Sequence, residues 1–227
     1  METTSAQRKN ALRYIILTVL VISMLVTGYL VYTMFASLAQ PSIAPVQDIS
    51  LTGGRNPLDT PVQLDDFTLS GSRGAVSLSD LRGKVALLFF GYTHCPDVCL
   101  VTLANFKRIK VELGDDADQM NFVFISVDSP RDTPDVVGEY VAKFDPGFIG
   151  LSSDELTLRR IAPAYGLQFE LENDDGAKTE DYNVIHTSYA YLIDQEGRMI
   201  IKYDYGADVE LMINDARALI GAADEET

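Results

Sequence analysis

The sequence predicts an α/β layered fold, and three patterns carry that reading. KVALLFFGY (Lys84–Tyr92) and NFVFISVD (Asn121–Asp128) are nearly continuous apolar runs, as strands buried on both faces would be. Between them the apolar positions Val98, Leu103, Phe106, Ile109 and Leu113 return at roughly helical spacing. Toward the C-terminus SYAYLID and MIIKYDY flank Gln195-Glu196-Gly197, and an amphipathic segment, ADVELMINDARALIGA, follows. Those last pieces predict a hairpin and a closing helix.

In chain order, residues 1–13 carry Arg8, Lys9 and Arg13 and read as a cytoplasmic N-terminus. Residues 14–36 follow as a transmembrane anchor, since YIILTVLVISMLVTGYLVYTMF (Tyr14–Phe35) is almost wholly apolar. About 20 residues of helix cross a hydrocarbon core, so this stretch is long enough. The cations on its N-terminal side keep that end inside and export everything after it. A cleaved signal peptide is the competing reading, with Ser37-Leu38-Ala39 as a cleavage site. Signal h-regions, however, run only about 7–15 residues. The segment is not the Arg- and Ser-rich amphipath of a mitochondrial transit peptide, so a bacterial inner membrane is expected, with the C-terminal domain facing the periplasm.

Residues 37–61 hold Pro41, Pro45, Gly53, Gly54 and Pro57 and read as a flexible tether. The domain at 62–227 opens with short strands in VQLDDFTLS and AVSLSDL around a Gly-Ser turn. Pro96 begins the helix that follows Tyr92, and Pro134 opens another toward Phe144. Ser152-x-x-Glu155 reads as a capping box for a helix to about Tyr165. LQFEL then precedes the acidic loop ENDDGAKTED. Strand, helix, strand, then hairpin and helix is the order of a thioredoxin-like domain.

Charge is unevenly spread. The formal net charge is −15, of which residues before Asp48 contribute +2, leaving −17 on the rest. Such a domain excludes a nucleic-acid-binding role, because phosphate recognition needs a cationic face.

GYTHCPDVC (Gly91–Cys99) holds both cysteines of the chain and one of its two histidines. A thiol at a helix N-terminus is pushed toward its reactive thiolate. With Cys95 and Cys99 at i and i+4 on one helix face, the pair can form a reversible disulfide or offer two thiolates to a soft metal. A merely structural bridge would close a loop of few residues and constrain the unfolded chain little. A third ligand must come from His94 or His186. His94 adjoins Cys95, where an extended backbone sends its side chain the other way. His186, in YNVIHTSYAYLID, precedes a strand and sits where a thioredoxin-like domain normally carries a proline; none occurs after Pro163. A structural Cys2His2 zinc site needs both histidines to converge with the thiols, which the spacing does not promise. A thiol–disulfide oxidoreductase remains the alternative reading, although such reductants mostly use C-x-x-C with the loop proline.

On FFGYTHCPDVC (Phe89–Cys99), FISVDSPRDTP (Phe124–Pro134) and VIHTSYAYLID (Val184–Asp194), the chain resembles the Sco/SenC family of copper chaperones. The resemblance implies one copper ion, Cu(I) or Cu(II), held by Cys95, Cys99 and His186. It also implies a supporting role for Asp128, acting from behind the ligands. The implied partner is subunit II of cytochrome c oxidase, whose dinuclear copper centre such proteins help to assemble, or another copper-accepting protein. Leu100 departs from the family at a position where many members have a second proline. Arg131 and Asp132 are expected as surface or capping residues.

Overall fold

The computed structural model describes residues 5–38, 53–172 and 182–224, with side chains for 17–33, 53–172 and 182–222. The acidic loop beyond Glu172, residues 173–181, and most of the expected tether, 39–52, lie outside the described residues. The chain divides into two compact units, Met1–Gln47 and Asp48–Thr227.

The described residues of the first unit form one helix, α1 (Ser5–Leu38). Where its side chains are described the large apolar residues are exposed, from Leu17 to Tyr32. Among the described residues no helix is long and apolar enough to cross a membrane. The rest of the expected anchor lies outside the described side chains.

The second unit is built on β4 (Val85–Gly91), every residue of which is buried. It pairs in parallel with β5 (Met120–Ser126), from Val85↔Met120 to Gly91↔Ser126. The helix between them, α2 (Val98–Leu113), buries Cys99, Leu103, Phe106, Ile109 and Leu113 on one face. β5 pairs in parallel in turn with β6 (Ile149–Ser152). On the opposite side of β4, β9 (Ala190–Ile193) and β10 (Arg198–Tyr203) form the expected antiparallel hairpin. With β1 (Arg55–Gln63), β2 (Thr68–Gly71) and β3 (Gly74–Ser77), these make one eight-stranded sheet in the order β1-β10-β9-β4-β5-β6-β2-β3. The helices α3 (Pro134–Ala142), α4 (Glu155–Tyr165) and α5 (Val209–Asp224) complete the unit. A separate two-stranded ribbon, β7 (Phe169–Glu172) with β8 (Asn183–His186), stands outside the main sheet.

Several local expectations change. The tether expected to residue 61 is strand from Arg55, paired along β10 from Arg55↔Tyr203 to Gln63↔Arg198 with a break in register between Pro57 and Val62. Pro57 and Pro61 cost little there, because an edge strand leaves one side without ladder bonds. β6 and β8 have no counterpart in the sequence reading; each is only four residues long. The capping box at Ser152 is replaced by Asp154, whose carboxylate accepts from Thr157 N at 2.9 Å. Ser152 cannot cap because it still belongs to β6.

The core is largely aromatic near the site. Phe90 packs edge-on against Tyr165 at 5.0 Å between centroids, and Tyr165 against Tyr191 at 5.3 Å. Such pairs favour the edge-to-face geometry set by the ring quadrupole. This rigid floor lies under the C-terminal end of β4, from which the cysteine segment departs.

Candidate metal centre

β4 ends at Gly91, and the chain turns back so that Cys95 N donates to Tyr92 O at 3.3 Å. Asp97 has φ −141° and ψ −84°, outside the helical region, so α2 begins only at Val98. Cys99 is therefore in the first helical turn and Cys95 in the preceding loop. The expectation of two thiols on one helix face is corrected: a turn, not the i,i+4 geometry, brings them together. Both cysteines are unbridged, Cys99 with no exposed surface and Cys95 7% exposed.

The third group arrives on the ribbon. His186 is the last residue of β8, opposite Phe169 of β7. Its Nε2 lies 3.9 Å from Cys99 Sγ, and one ligand atom from each of Cys95, Cys99 and His186 lies within 4.8 Å of the other two. Nδ1 is 3.1 Å from Thr187 O. A carbonyl can only accept, so Nδ1 carries the proton and Nε2 turns its lone pair toward the sulfurs. The ring stands edge-on to Phe89 at 6.0 Å and to Tyr92 at 5.8 Å, which limits its rotation.

The thiols do not titrate alike. The Cys99 S–H donates to Cys95 and holds the Cys95 thiol far below its ordinary range, against burial and with help from the Asp97 and Cys99 backbone. Cys99 is pushed up in consequence, because a second thiolate beside the first, in a buried place, is disfavoured. Burial also raises Tyr92, whose hydroxyl meets the Val184 backbone and Cys95. One thiolate is thus available to a cation at neutral pH, and the second forms when a cation displaces its proton.

Asp128 is fully buried just beyond β5 and is not among these three ligand residues. Its Oδ1 accepts from Tyr182 Oη at 2.5 Å and its Oδ2 from Arg131 Nε at 2.5 Å. Asp132, expected at the surface, is 1% exposed. It accepts from Thr93 N at 2.8 Å, Thr93 Oγ1 at 2.6 Å and Ser126 Oγ at 2.5 Å, tying the cysteine loop to the end of β5. His94 points away from the thiols, its side chain 54% exposed and its Nδ1 3.8 Å from Asp132 Oδ1. His94, Asp128 and Asp132 also lie close enough to hold a cation. Their carboxylate oxygens are already engaged by the donors just named, so this cluster reads as structure. With His94 there, a Cys2His2 site does not assemble. Sequence reasoning missed Asp132, Tyr92 and Tyr182, since nothing in their spacing distinguishes them from solvated or core residues.

Two thiolates and one imidazole, partly shielded, form a soft donor set suited to Cu(I) or Zn(II) more than to Mg(II) or Ca(II). Among relatives, an SCO2-like protein of Rickettsia prowazekii is 36% identical over 133 residues, 58% of this chain and 64% of that protein. The chain spans 60–66% of the length of three of the curated relatives it matches. Of solved structures, apo Sco1 from Thermus thermophilus has a TM-score of 0.65 at 34% identity, covering 72% of this chain and 94% of that one. Bradyrhizobium japonicum ScoI, solved with copper bound, has a TM-score of 0.63 at 35% identity, covering 70% and 99%. The SCO1/SenC family model matches residues 56–221, a span that holds nearly all of the sheet, the ribbon and all three candidate ligand residues, and the chain belongs to that family.

Proposed function

We propose that this protein is a membrane-anchored copper chaperone that carries one copper ion on Cys95, Cys99 and His186. In this reading it supports assembly of the dinuclear copper centre of cytochrome c oxidase, with subunit II or another copper-accepting protein as recipient. The observation that carries it is the convergence of three soft or borderline donors within 4.8 Å from two separate parts of the chain. Thiolate sulfur suits Cu(I), imidazole suits both oxidation states, and a three-ligand site leaves room for exchange with an acceptor's ligands. The copper-bound relative supports the choice of ion. The uncharged stretch from Tyr14 to Gln47, preceded by Arg8, Lys9 and Arg13, supports a single span in a bacterial inner membrane with the domain in the periplasm.

The test is copper binding by the reduced, detergent-solubilised chain beside its His186→Ala variant, with zinc as competitor. One equivalent of copper, preferred over zinc and markedly weakened by the substitution, is expected. Binding indifferent to His186→Ala would remove the imidazole from the ligand set, and no specific copper binding would end the chaperone reading.

The depressed Cys95 thiol favours a second reading, a thiol–disulfide oxidoreductase. Cys95 thiolate would attack a partner's disulfide and Cys99 would resolve the mixed disulfide. The protein would be left with a Cys95–Cys99 bridge and the partner with two thiols. Reduction of a disulfide-bonded copper acceptor by the metal-free chain, lost in Cys95→Ser, is its signature.

A further inference from the structure

The ribbon that delivers His186 shares no ladder with the main sheet. A two-stranded ribbon is marginal by itself, so something else must fix where its last residue points. One end is held locally: Thr187 N donates to Gln168 O at 2.9 Å and Gln168 N to Thr187 Oγ1 at 2.9 Å. At the other end is Tyr182, immediately before β8 and four residues before His186. Its hydroxyl donates to Asp128 Oδ1 at 2.5 Å, and its ring lies 3.6 Å under the Arg131 guanidinium. Arg131 in turn donates to Asp128 Oδ2 at 2.5 Å. Asp128 is fixed to β5 by its own backbone, which donates to Ser126 Oγ at 3.1 Å, and by the Asp132 N to Asp128 O bond at 2.9 Å.

We infer that Tyr182 is the positioning residue for His186: it clamps the start of β8 to the Asp128–Arg131 pair at the end of β5, and so sets the imidazole against the two sulfurs. The buried carboxylate makes this a charge-assisted hydrogen bond, about twice as strong as a neutral one, and the stacked guanidinium adds cation–π attraction. Four strand residues bridge only about 13 Å, so freeing one end lets the other drift. Asp128 thereby acts on the site through Tyr182 and β8 while contributing no ligand atom. The affinity part of this inference rests on the copper reading; the part about β8 does not.

The experiment compares the chain, Tyr182→Phe, His186→Ala and the double variant. Tyr182→Phe keeps the ring and leaves Asp128 paired with Arg131, so folding is preserved. Cu(I) affinity, read by competition with a chromophoric chelator, is expected to fall about tenfold in Tyr182→Phe, the scale of losses from residues that orient metal ligands. In the His186→Ala background the same substitution is expected to change nothing, because its effect passes through the imidazole. In the metal-free chain, amide exchange is expected to speed up over Asn183–His186 and to stay unchanged over Ala190–Ile193. An equal affinity loss in both backgrounds would show a general structural effect and overturn the inference, as would no loss at all. If His186→Ala leaves the parent affinity intact, the imidazole is no ligand and exchange decides alone: unchanged rates over Asn183–His186 then overturn the clamp.

Discussion

Gly91 faces Cys99 so closely that a Cβ at residue 91 would stand 2.7 Å from the Cys99 sulfur, and 2.9 Å from ring atoms of both Phe89 and Phe124. All three neighbours are fully buried, so none can swing into solvent. Gly91→Ala is therefore expected to displace the inner sulfur or strain the strand. Overpacking of this kind costs about 1–3 kcal/mol. Denaturant unfolding of the metal-free chain should show that loss, and copper competition should show weaker binding. Unchanged copper affinity would mean that the sulfur has slack the structure does not show.

Thiol chemistry gives a prediction in pH. Because the folded Cys95 thiol is held low, its thiolate persists as pH falls and is lost only on descending through the depressed value. An ordinary thiol loses its thiolate about tenfold per unit below about pH 8.5. Iodoacetamide should accordingly label one cysteine, Cys95, at nearly the same rate at pH 6 and pH 8 in the reduced metal-free chain. Cys99, raised and buried, should stay unlabelled. A rate that drops steeply between those two pH values would remove the Cys99-to-Cys95 hydrogen bond from the account.

Asp128→Ala would strip the carboxylate from Arg131, whose side chain is only 13% exposed. Removing one partner of a buried ion pair typically costs about 3–5 kcal/mol. Unfolding of the metal-free variant should show a loss on that scale. Copper stoichiometry should remain one per chain, since no oxygen of Asp128 serves as a ligand; a fall in stoichiometry would count against that placement.

At the far edge of the sheet, Arg55 Nε donates to Asp215 Oδ2 at 2.6 Å, and Tyr203 Oη donates to the same oxygen at 2.8 Å. The pair fastens β1 to α5. Arg55→Ala is expected to cost about 1 kcal/mol, the usual net worth of a part-exposed charged hydrogen bond, without altering metal binding. Loss of metal binding in that variant would couple the edge strand to the site.

The buried strands β4 and β5 were legible because both faces are covered and the composition shows it. The candidate ligand residues were legible for a different reason: Cys95 and Cys99 are the only two thiols, and His186 stood out by its place before a strand and by the family resemblance. What stayed hidden depends on distant partners. Asp132 looks like any aspartate after a strand until Thr93 and Ser126 close on it. β8 is too short for a period, and its place is set by β7 and Tyr182 rather than by its own four residues. Pro57 argued for a tether, and only the position of β1 at an edge made it compatible with a strand.

The unequal burial of the three ligand residues has a consequence for traffic. Cys99 lies at the bottom with no exposed surface, Cys95 is barely exposed, and His186 is half-buried at the rim. Among the described residues, an acceptor's sulfur approaching a copper ion held there would meet the more exposed imidazole and outer thiolate before the buried sulfur of Cys99. On the copper reading, the rim groups would then yield first and the floor sulfur last. In the proposed transfer, the sulfur at the floor would keep its hold while an acceptor's ligands replace those at the rim.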